Sequence, residues 1–196
     1  MTPTRRRWLA VIALGGLCAI LQAGGLVHAL RYDRAALAHG ELWRALTGHI
    51  VHLGWMHLAL NLAGLVLVSA LVGASLSLAG WVLAFLLASV SISGGLWLFR
   101  PDVVWYVGLS GVLHGLLVAG AVTALRDPHE RRFMLLVLVV VAAKLTWEQT
   151  VGPTPGTAAL AGGPVVVDAH LFGAIGGLVS AGLAWPWRRL RHVLQE

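Results

Sequence analysis

Six long apolar stretches constrain the fold of this chain more than any other feature of its sequence. A helix needs about 20 apolar residues to cross a bilayer. The stretches predict spanning helices at about 8–30, 55–73, 79–99, 110–125, 133–148 and 168–187. Because hydrophobic residues make up 58% and charged residues 11% of the 196 residues, a soluble domain could not cover the apolar surface. We expect an all-α integral membrane protein, a six-transmembrane-helix bundle that forms one domain over residues 1–196.

Arginines near the segment ends predict the orientation of the chain. They account for 13 of the 14 basic residues behind the net charge of +6. Nine lie on one side of the predicted bundle, namely Arg5, Arg6, Arg7, Arg126, Arg131, Arg132, Arg188, Arg189 and Arg191. The other four are Arg31, Arg34, Arg44 and Arg100. The richer side should be cytoplasmic, with both termini inside, and this pattern explains the charge without a nucleic-acid partner.

Polar residues occur at the start of three predicted helices that run in the same direction through the bilayer. They are His57, Asn61, Ser110, His114, Asp168 and His170. Polar and ionisable residues inside spanning segments are costly, so they are candidates for function. Since the three helices begin at one depth, we expect these side chains to converge on one buried polar site.

Small residues recur at every fourth position of two of these helices. They are Gly111, Gly115 and Ala119 on the fourth helix, and Ala169, Gly173, Gly177 and Ala181 on the sixth. Such ridges let helix backbones touch in a membrane, although they also occur as generic packing. Close contact here would bring Ser110 within reach of His170, while Gly108 and Gly111 would allow a tight turn beside the serine.

A serine and a histidine together predict acyl transfer. The hydroxyl becomes a nucleophile when a base takes its proton, and histidine is the usual base. The free N–H groups at the helix start near Ser110, with His57 and Asn61, could stabilise the oxyanion. Helical spacing favours His114 as the base, whereas helix packing favours His170, and the residues alone leave this open.

Two other functions fit parts of the sequence less well. Nine histidines could in principle gather a metal ion, but no HExxH motif occurs, so we expect no metal and no other cofactor. A transporter would need a relay of acidic residues across the membrane. Lys144 and Glu148 resemble instead a surface pair near the outer interface, spaced four residues apart on one helix.

Three motifs resemble the rhomboid family of intramembrane serine proteases. They are "ELWRALTGHIVHLGWMHLALN" (41–61), "GLSG" (108–111) and "AHLFGAIGG" (169–177). The resemblance implies a rhomboid-like bundle with Ser110 as nucleophile, His170 as base, and His57 with Asn61 as oxyanion pair. Glu41, Trp43 and Arg44 fit the WR motif of the family's first loop, and His52 fits a histidine of that loop. Trp43 and Arg44 should have structural roles there.

The extended motif "GLSGVLHG" (108–115) is similar to the rhombosortase branch of that family. This implies that the substrates are membrane proteins with a C-terminal Gly-Gly motif, a transmembrane helix and a basic tail, cleaved at the bacterial inner membrane. A catalytically inactive rhomboid-like protein that binds membrane clients is the main alternative, but such relatives usually lack the serine or the histidine.

The remaining predictions concern the surroundings of the site. Asp168 should cap the last helix, which leaves a Ser–His dyad without a third acid. His114 should have an auxiliary role. The segment 149–167 is rich in glycine and proline and is predicted to be a mobile cap, with the fifth helix moving to admit substrate.

Overall fold

The computed structural model describes residues 2–193, with no side-chain description for residue 3 or for residues 184–193. Arg188, Arg189 and Arg191, which were used to predict orientation, therefore lie outside the described side chains. The elements in chain order are α1 (Pro3–Ala23), α2 (Val27–Leu30), β1 (Tyr32–Asp33), α3 (Arg34–Ala38), α4 (Arg44–Thr47), α5 (Trp55–Val72), α6 (Leu78–Phe99), β2 (Trp105–Tyr106), α7 (Ser110–Ala124), α8 (Arg131–Thr150), α9 (Thr157–Ala161) and α10 (Asp168–Val193).

Four helices among the described residues are long and apolar enough to cross a membrane. They are α1 from Thr4 onward, α5, α6 and α8. Helix α7 and the Asp168–Leu183 part of α10 are apolar but shorter. The prediction of an all-helical membrane protein thus agrees with the structure, whereas helix length and composition establish four spans rather than six.

The apolar stretches locate most helices closely, but α1 begins at Pro3 rather than at about 8, and α10 continues to Val193 rather than to about 187. The bounds of α5 to α8 lie within two residues of those predicted. The first stretch, predicted to be helical over 8–30, is wrong at its end because α1 stops at Ala23. Gly25 has a φ of 66°, a left-handed conformation that suits glycine, and the chain turns there before α2.

Helices α5, α7 and α10 run parallel, as predicted, and pack closely. Gly108 lies against His57 at the start of α5, and Gly120 lies against Val72 at its end. On the other side of α7, Gly111 lies against the backbone of Ala169, and Gly115 lies one turn later against Gly173. In each pair of helices the residue numbers of both partners increase from one contact to the next. The three helices therefore run in the same direction and begin at the same end of the bundle.

A short sheet and a hydrogen-bonded arginine fix the segments that precede these helices. Strand β1 pairs antiparallel with β2, and Tyr32 lies opposite Tyr106. Arg44 forms an ion pair with Glu41 and donates from Nη1 to the carbonyl of Arg31 at 3.1 Å. The loop before α7 is therefore held against the segment that follows α1. This agrees with the structural role predicted for Arg44.

Candidate active site

The turn before α7 places Ser110 at the first position of that helix. Gly108 has a φ of 121°, and its N–H donates to the carbonyl of Gly48 at 3.0 Å. A Cβ at residue 108 would lie 2.8 Å from Cε1 of the His57 ring. Tyr106 donates its hydroxyl to the Gly108 carbonyl at 2.8 Å. Glycine is therefore required here by both the backbone conformation and the close contact.

Ser110 and His170 lie together across the contact between α7 and α10. The serine Oγ is 3.0 Å from Nε2 of His170, a hydrogen-bonding distance. This proximity depends on Gly111, where a Cβ would lie 2.7 Å from the carbonyl oxygen of Ala169. His170 is buried and Ser110 is half-buried. The small-residue ridges thus bring the hydroxyl to the imidazole, as the packing argument predicted.

A carboxylate from α8 contacts the other side of the imidazole. Oε2 of Glu148 lies 2.9 Å from Nδ1 of His170, and Oε1 accepts from Nζ of Lys144 at 2.5 Å. The Glu148 side chain is only 3% exposed. This corrects two expectations, because Glu148 is not a surface residue and a third acid does face the Ser–His pair.

These contacts also assign the tautomer of His170. A carboxylate can only accept, so Nδ1 carries the proton in the bond to Glu148 when the ring is neutral. Nε2 is then unprotonated and can accept from the hydroxyl of Ser110. This is the tautomer that a general base for the serine requires.

His114 lies beside the pair but does not face the serine hydroxyl. Its Nδ1 is 2.8 Å from the backbone carbonyl of Ser110, and its ring stacks on that of His170 with centroids 4.3 Å apart. Although helical spacing made His114 a candidate base, its Nδ1 contacts a backbone carbonyl of its own helix and not the serine hydroxyl. The contacts favour the auxiliary role over the base role.

The two predicted oxyanion residues differ in their placement. His57 lines the same pocket as Ser110, and its Nδ1 accepts from the N–H of Leu53 at 3.3 Å. Asn61 donates from its amide nitrogen to the His57 carbonyl at 2.9 Å. Its buried Oδ1 has no partner among the described residues. His57 thus lines the pocket together with Ser110, whereas Asn61 is not among the residues that line it and uses one of its two amide N–H groups within its own helix.

The pocket above Ser110 has a volume of about 230 Å³ and is closed partly by the segment before α10. Ala161, Pro164 and Val166 line it from that segment, and Val104 lines it from the loop before β2. The segment 149–167 contains α9 and covers the site, as predicted for a cap. Its mobility stays a prediction.

Two further residues near the site have partners or surroundings that the sequence did not predict. Asp168 forms an ion pair with Arg100 from the end of α6, in place of a purely capping role. His52 is fully buried, and its ring meets that of His57 edge-on with centroids 5.2 Å apart. Burial and the neighbouring His57 lower the pKa of His52 to about 3, so the ring is neutral.

One set of described residues could also hold a metal ion. His114, Glu148 and His170 each offer a ligand atom, and these atoms lie within 4.8 Å of one another. Two of the three are already joined by the hydrogen bond between Glu148 and His170. The geometry is therefore explained without an ion.

Glu148 was not predicted from the sequence to be a member of this site. Its separation of four residues from Lys144 fits an exposed pair as well as a buried one. In the structure the buried residues of α8, Met134, Val141, Leu145 and Glu148, follow a helical stripe that ends in the carboxylate, but apolar residues on the other sides of α8 hide this stripe in the sequence.

Fold and site together define a helical, multi-pass membrane protein with a serine, a histidine and a carboxylate arranged as in serine hydrolases. The Rhomboid domain matches residues 39–187. The chain therefore belongs to the rhomboid family, whose members are intramembrane serine proteases. No match was found among curated proteins.

Proposed function

We propose that this protein is an active intramembrane serine endopeptidase of the rhombosortase type. The observation that carries the proposal is the 3.0 Å contact between Ser110 Oγ and His170 Nε2 at the start of two parallel helices. Hydrogen-bonding distance between a serine and its base is the geometric requirement for nucleophilic catalysis. An inactive client-binding protein would not need this contact.

The proposed reaction proceeds through an acyl-enzyme. His170 takes the hydroxyl proton as Ser110 Oγ attacks the scissile carbonyl carbon, and the carbonyl oxygen becomes an oxyanion. The imidazolium then gives this proton to the leaving amine as the C–N bond breaks. Water, deprotonated by the same imidazole, hydrolyses the ester and returns Ser110 to its hydroxyl form.

Donors for the oxyanion come from the helix start and from α5. The first N–H groups of a helix have no acceptor within it, and they carry the positive end of the helix dipole. Ser110 and Gly111 supply these groups at the point of attack, and His57 lines the same pocket. A donor in such a position is worth about 10²-fold or more in kcat.

The substrate class proposed is a membrane protein with a C-terminal Gly-Gly motif, a transmembrane helix and a basic tail. A pocket of about 230 Å³ lined by Val104, Val166 and Leu53 suits small residues near the cleaved bond. The likeness of "GLSGVLHG" to the rhombosortase motif supports the same class. With α7 and α10 taken as further spans, the arginine asymmetry supports a cytoplasmic position of both termini at the bacterial inner membrane.

Coexpression with such a substrate tests the proposal. Wild type should cleave it, Ser110→Ala and His170→Ala should give no product, and His114→Ala should keep partial activity. Ser69→Ala is the matched control, since this buried α5 serine only donates to the Leu65 carbonyl of its own helix. Cleavage by Ser110→Ala would overturn the mechanism.

A fluorophosphonate probe separates mechanism from substrate choice, because it reacts with an activated serine whatever the natural substrate is. Labelling of wild type but not of Ser110→Ala, without cleavage of the Gly-Gly substrate, would retain the protease and refute the proposed substrate class.

A further inference from the structure

The carboxylate of Glu148 is held at both oxygens in the interior of the bundle. Oε2 is 2.9 Å from Nδ1 of His170, and Oε1 is 2.5 Å from Nζ of Lys144. The Glu148 side chain is 3% exposed, whereas that of Lys144 is 38% exposed. The lysine thus reaches the carboxylate from the edge of the bundle.

The position of Glu148 on α8 sets it apart from the rest of that helix. Much of α8 is open to lipid, for example Leu136, Val139 and Val140, each more than half exposed. The buried face of α8 is narrow and consists of three apolar residues and Glu148, so Glu148 is its polar residue. Within an otherwise apolar contact, this carboxylate has hydrogen-bonding contacts with His170 and Lys144, and a ring nitrogen of His114 lies within 4.8 Å of it.

Burial of a carboxylate in an apolar setting costs several kcal/mol unless partners compensate. Lys144 supplies the opposite charge, and the imidazole supplies a hydrogen bond. An apolar residue would satisfy the packing of α8 without this cost. The carboxylate is therefore explained best by what it does to the imidazole.

We propose that Glu148 is a positioning residue that converts the predicted Ser–His dyad into a Ser110–His170–Glu148 triad. It accepts from Nδ1–H of His170, which fixes the tautomer and the ring orientation and leaves Nε2 free for the serine proton. When His170 becomes an imidazolium during the reaction, the adjacent negative charge stabilises it. Lys144 holds the carboxylate in place. This inference rests on the proposed protease activity.

Glu148→Gln is the decisive variant because it preserves the shape of the side chain but removes its charge, and it replaces a group that can only accept hydrogen bonds by an amide that can also donate them. We expect kcat to fall by about 10²- to 10⁴-fold, the upper value being that of a carboxylate-to-amide change in a Ser–His–Asp triad, with KM altered less than about twofold. Glu148→Asp should recover part of the loss. Glu130→Gln, the same change at the exposed start of α8, should leave kcat unchanged.

A readout independent of turnover guards against a folding defect. In ¹⁵N-histidine NMR, wild type should show the Nδ1–H tautomer of His170, and Glu148→Gln should show a mixture of tautomers. Thermal unfolding in the same detergent reports the folded fraction. A folded Glu148→Gln with wild-type kcat, or an unchanged tautomer, would overturn the positioning role.

The same experiment distinguishes this inference from the proposed function. If wild type neither cleaves the substrate nor reacts with the fluorophosphonate at Ser110, the protease proposal fails. If wild type does both and Glu148→Gln equals it, only the triad fails.

Discussion

Replacing Gly115 by alanine should separate α7 and α10, the two helices that carry the proposed catalytic pair. A Cβ at residue 115 would lie 2.6 Å from the carbonyl oxygen of Gly173 and 2.6 Å from the Cβ of Ala88. Ordinary contacts begin at 3.4 Å, so the neighbours must retreat by about 0.8 Å. Neither obstacle is a flexible side chain, and therefore the helices themselves must move.

This displacement should affect both stability and rate. Overpacking of this kind costs typically about 1–3 kcal/mol in the free energy of unfolding. One helical turn away, the distance of 3.0 Å between Ser110 Oγ and His170 Nε2 would lengthen by a similar amount. A misplacement of about 1 Å can cost about 10²-fold in rate. We expect Gly115→Ala to lose about this factor in cleavage.

The assay compares two glycine-to-alanine variants in one detergent, by thermal unfolding and by cleavage of a Gly-Gly membrane substrate. Gly182→Ala on α10 is the control, because a Cβ there meets nothing within 4 Å. It should be as active as wild type and equally or slightly more stable, since alanine favours helix. If Gly115→Ala matched Gly182→Ala in both measurements, close contact between α7 and α10 would not position the site.

Two further predictions concern the first loop. Arg44→Lys should lower the free energy of unfolding by about 1–2 kcal/mol in chemical denaturation, because lysine cannot reproduce the fork that joins Glu41 to two backbone carbonyls. An unchanged stability would show that the fork is dispensable. Burial lowers the pKa of His49 to about 4 from its usual 6.5, against the raising effect of its backbone hydrogen bonds. As pH falls, the His49 ring therefore becomes protonated at a lower pH in the folded protein than in the unfolded chain. The contribution of His49 should lower the free energy of unfolding by up to about 1.4 kcal/mol per pH unit as pH falls from about 6.5 to 4, and His49→Gln should make this pH dependence less steep. Equal slopes in the two proteins would contradict the assignment.

The helices could be predicted from the sequence where apolar runs end in glycine or polar residues. Helix α6 shows this, because Ser77 accepts from the N–H of Gly80 and defines the helix start. The first helix was predicted too long because its apolar character continues past Gly24 and Gly25, while the backbone conformation at Gly25 ends the helix. Apolar character predicts which residues lie in the membrane, whereas the glycine predicts where the helix ends.

The contact between Ser110 and His170 was one of two serine–histidine pairings that the residues allowed, because a local pattern of small residues encodes this tertiary contact. Small residues on α7 and α10 specify which faces meet, and Ser110 and His170 lie next to those faces. Helix α8 offers no such pattern, since apolar residues surround most of its circumference. Which side of α8 faces the bundle depends on packing with α7 and α10, so the burial of Glu148 could not be read from its spacing to Lys144.

Each member of the proposed triad lies on a different helix, with Ser110 on α7, His170 on α10 and Glu148 on α8. The site therefore exists only when all three helices are docked, and a shift in any one changes a hydrogen bond. A loss of about 10²-fold in rate corresponds to about 2.7 kcal/mol, which is similar to the packing energy of one overpacked contact. Such a change lowers the rate about 100-fold, whereas the bundle stays folded as long as its free energy of unfolding exceeds the loss. Cleavage should hence fall in variants of these contacts before any loss of folded protein becomes visible.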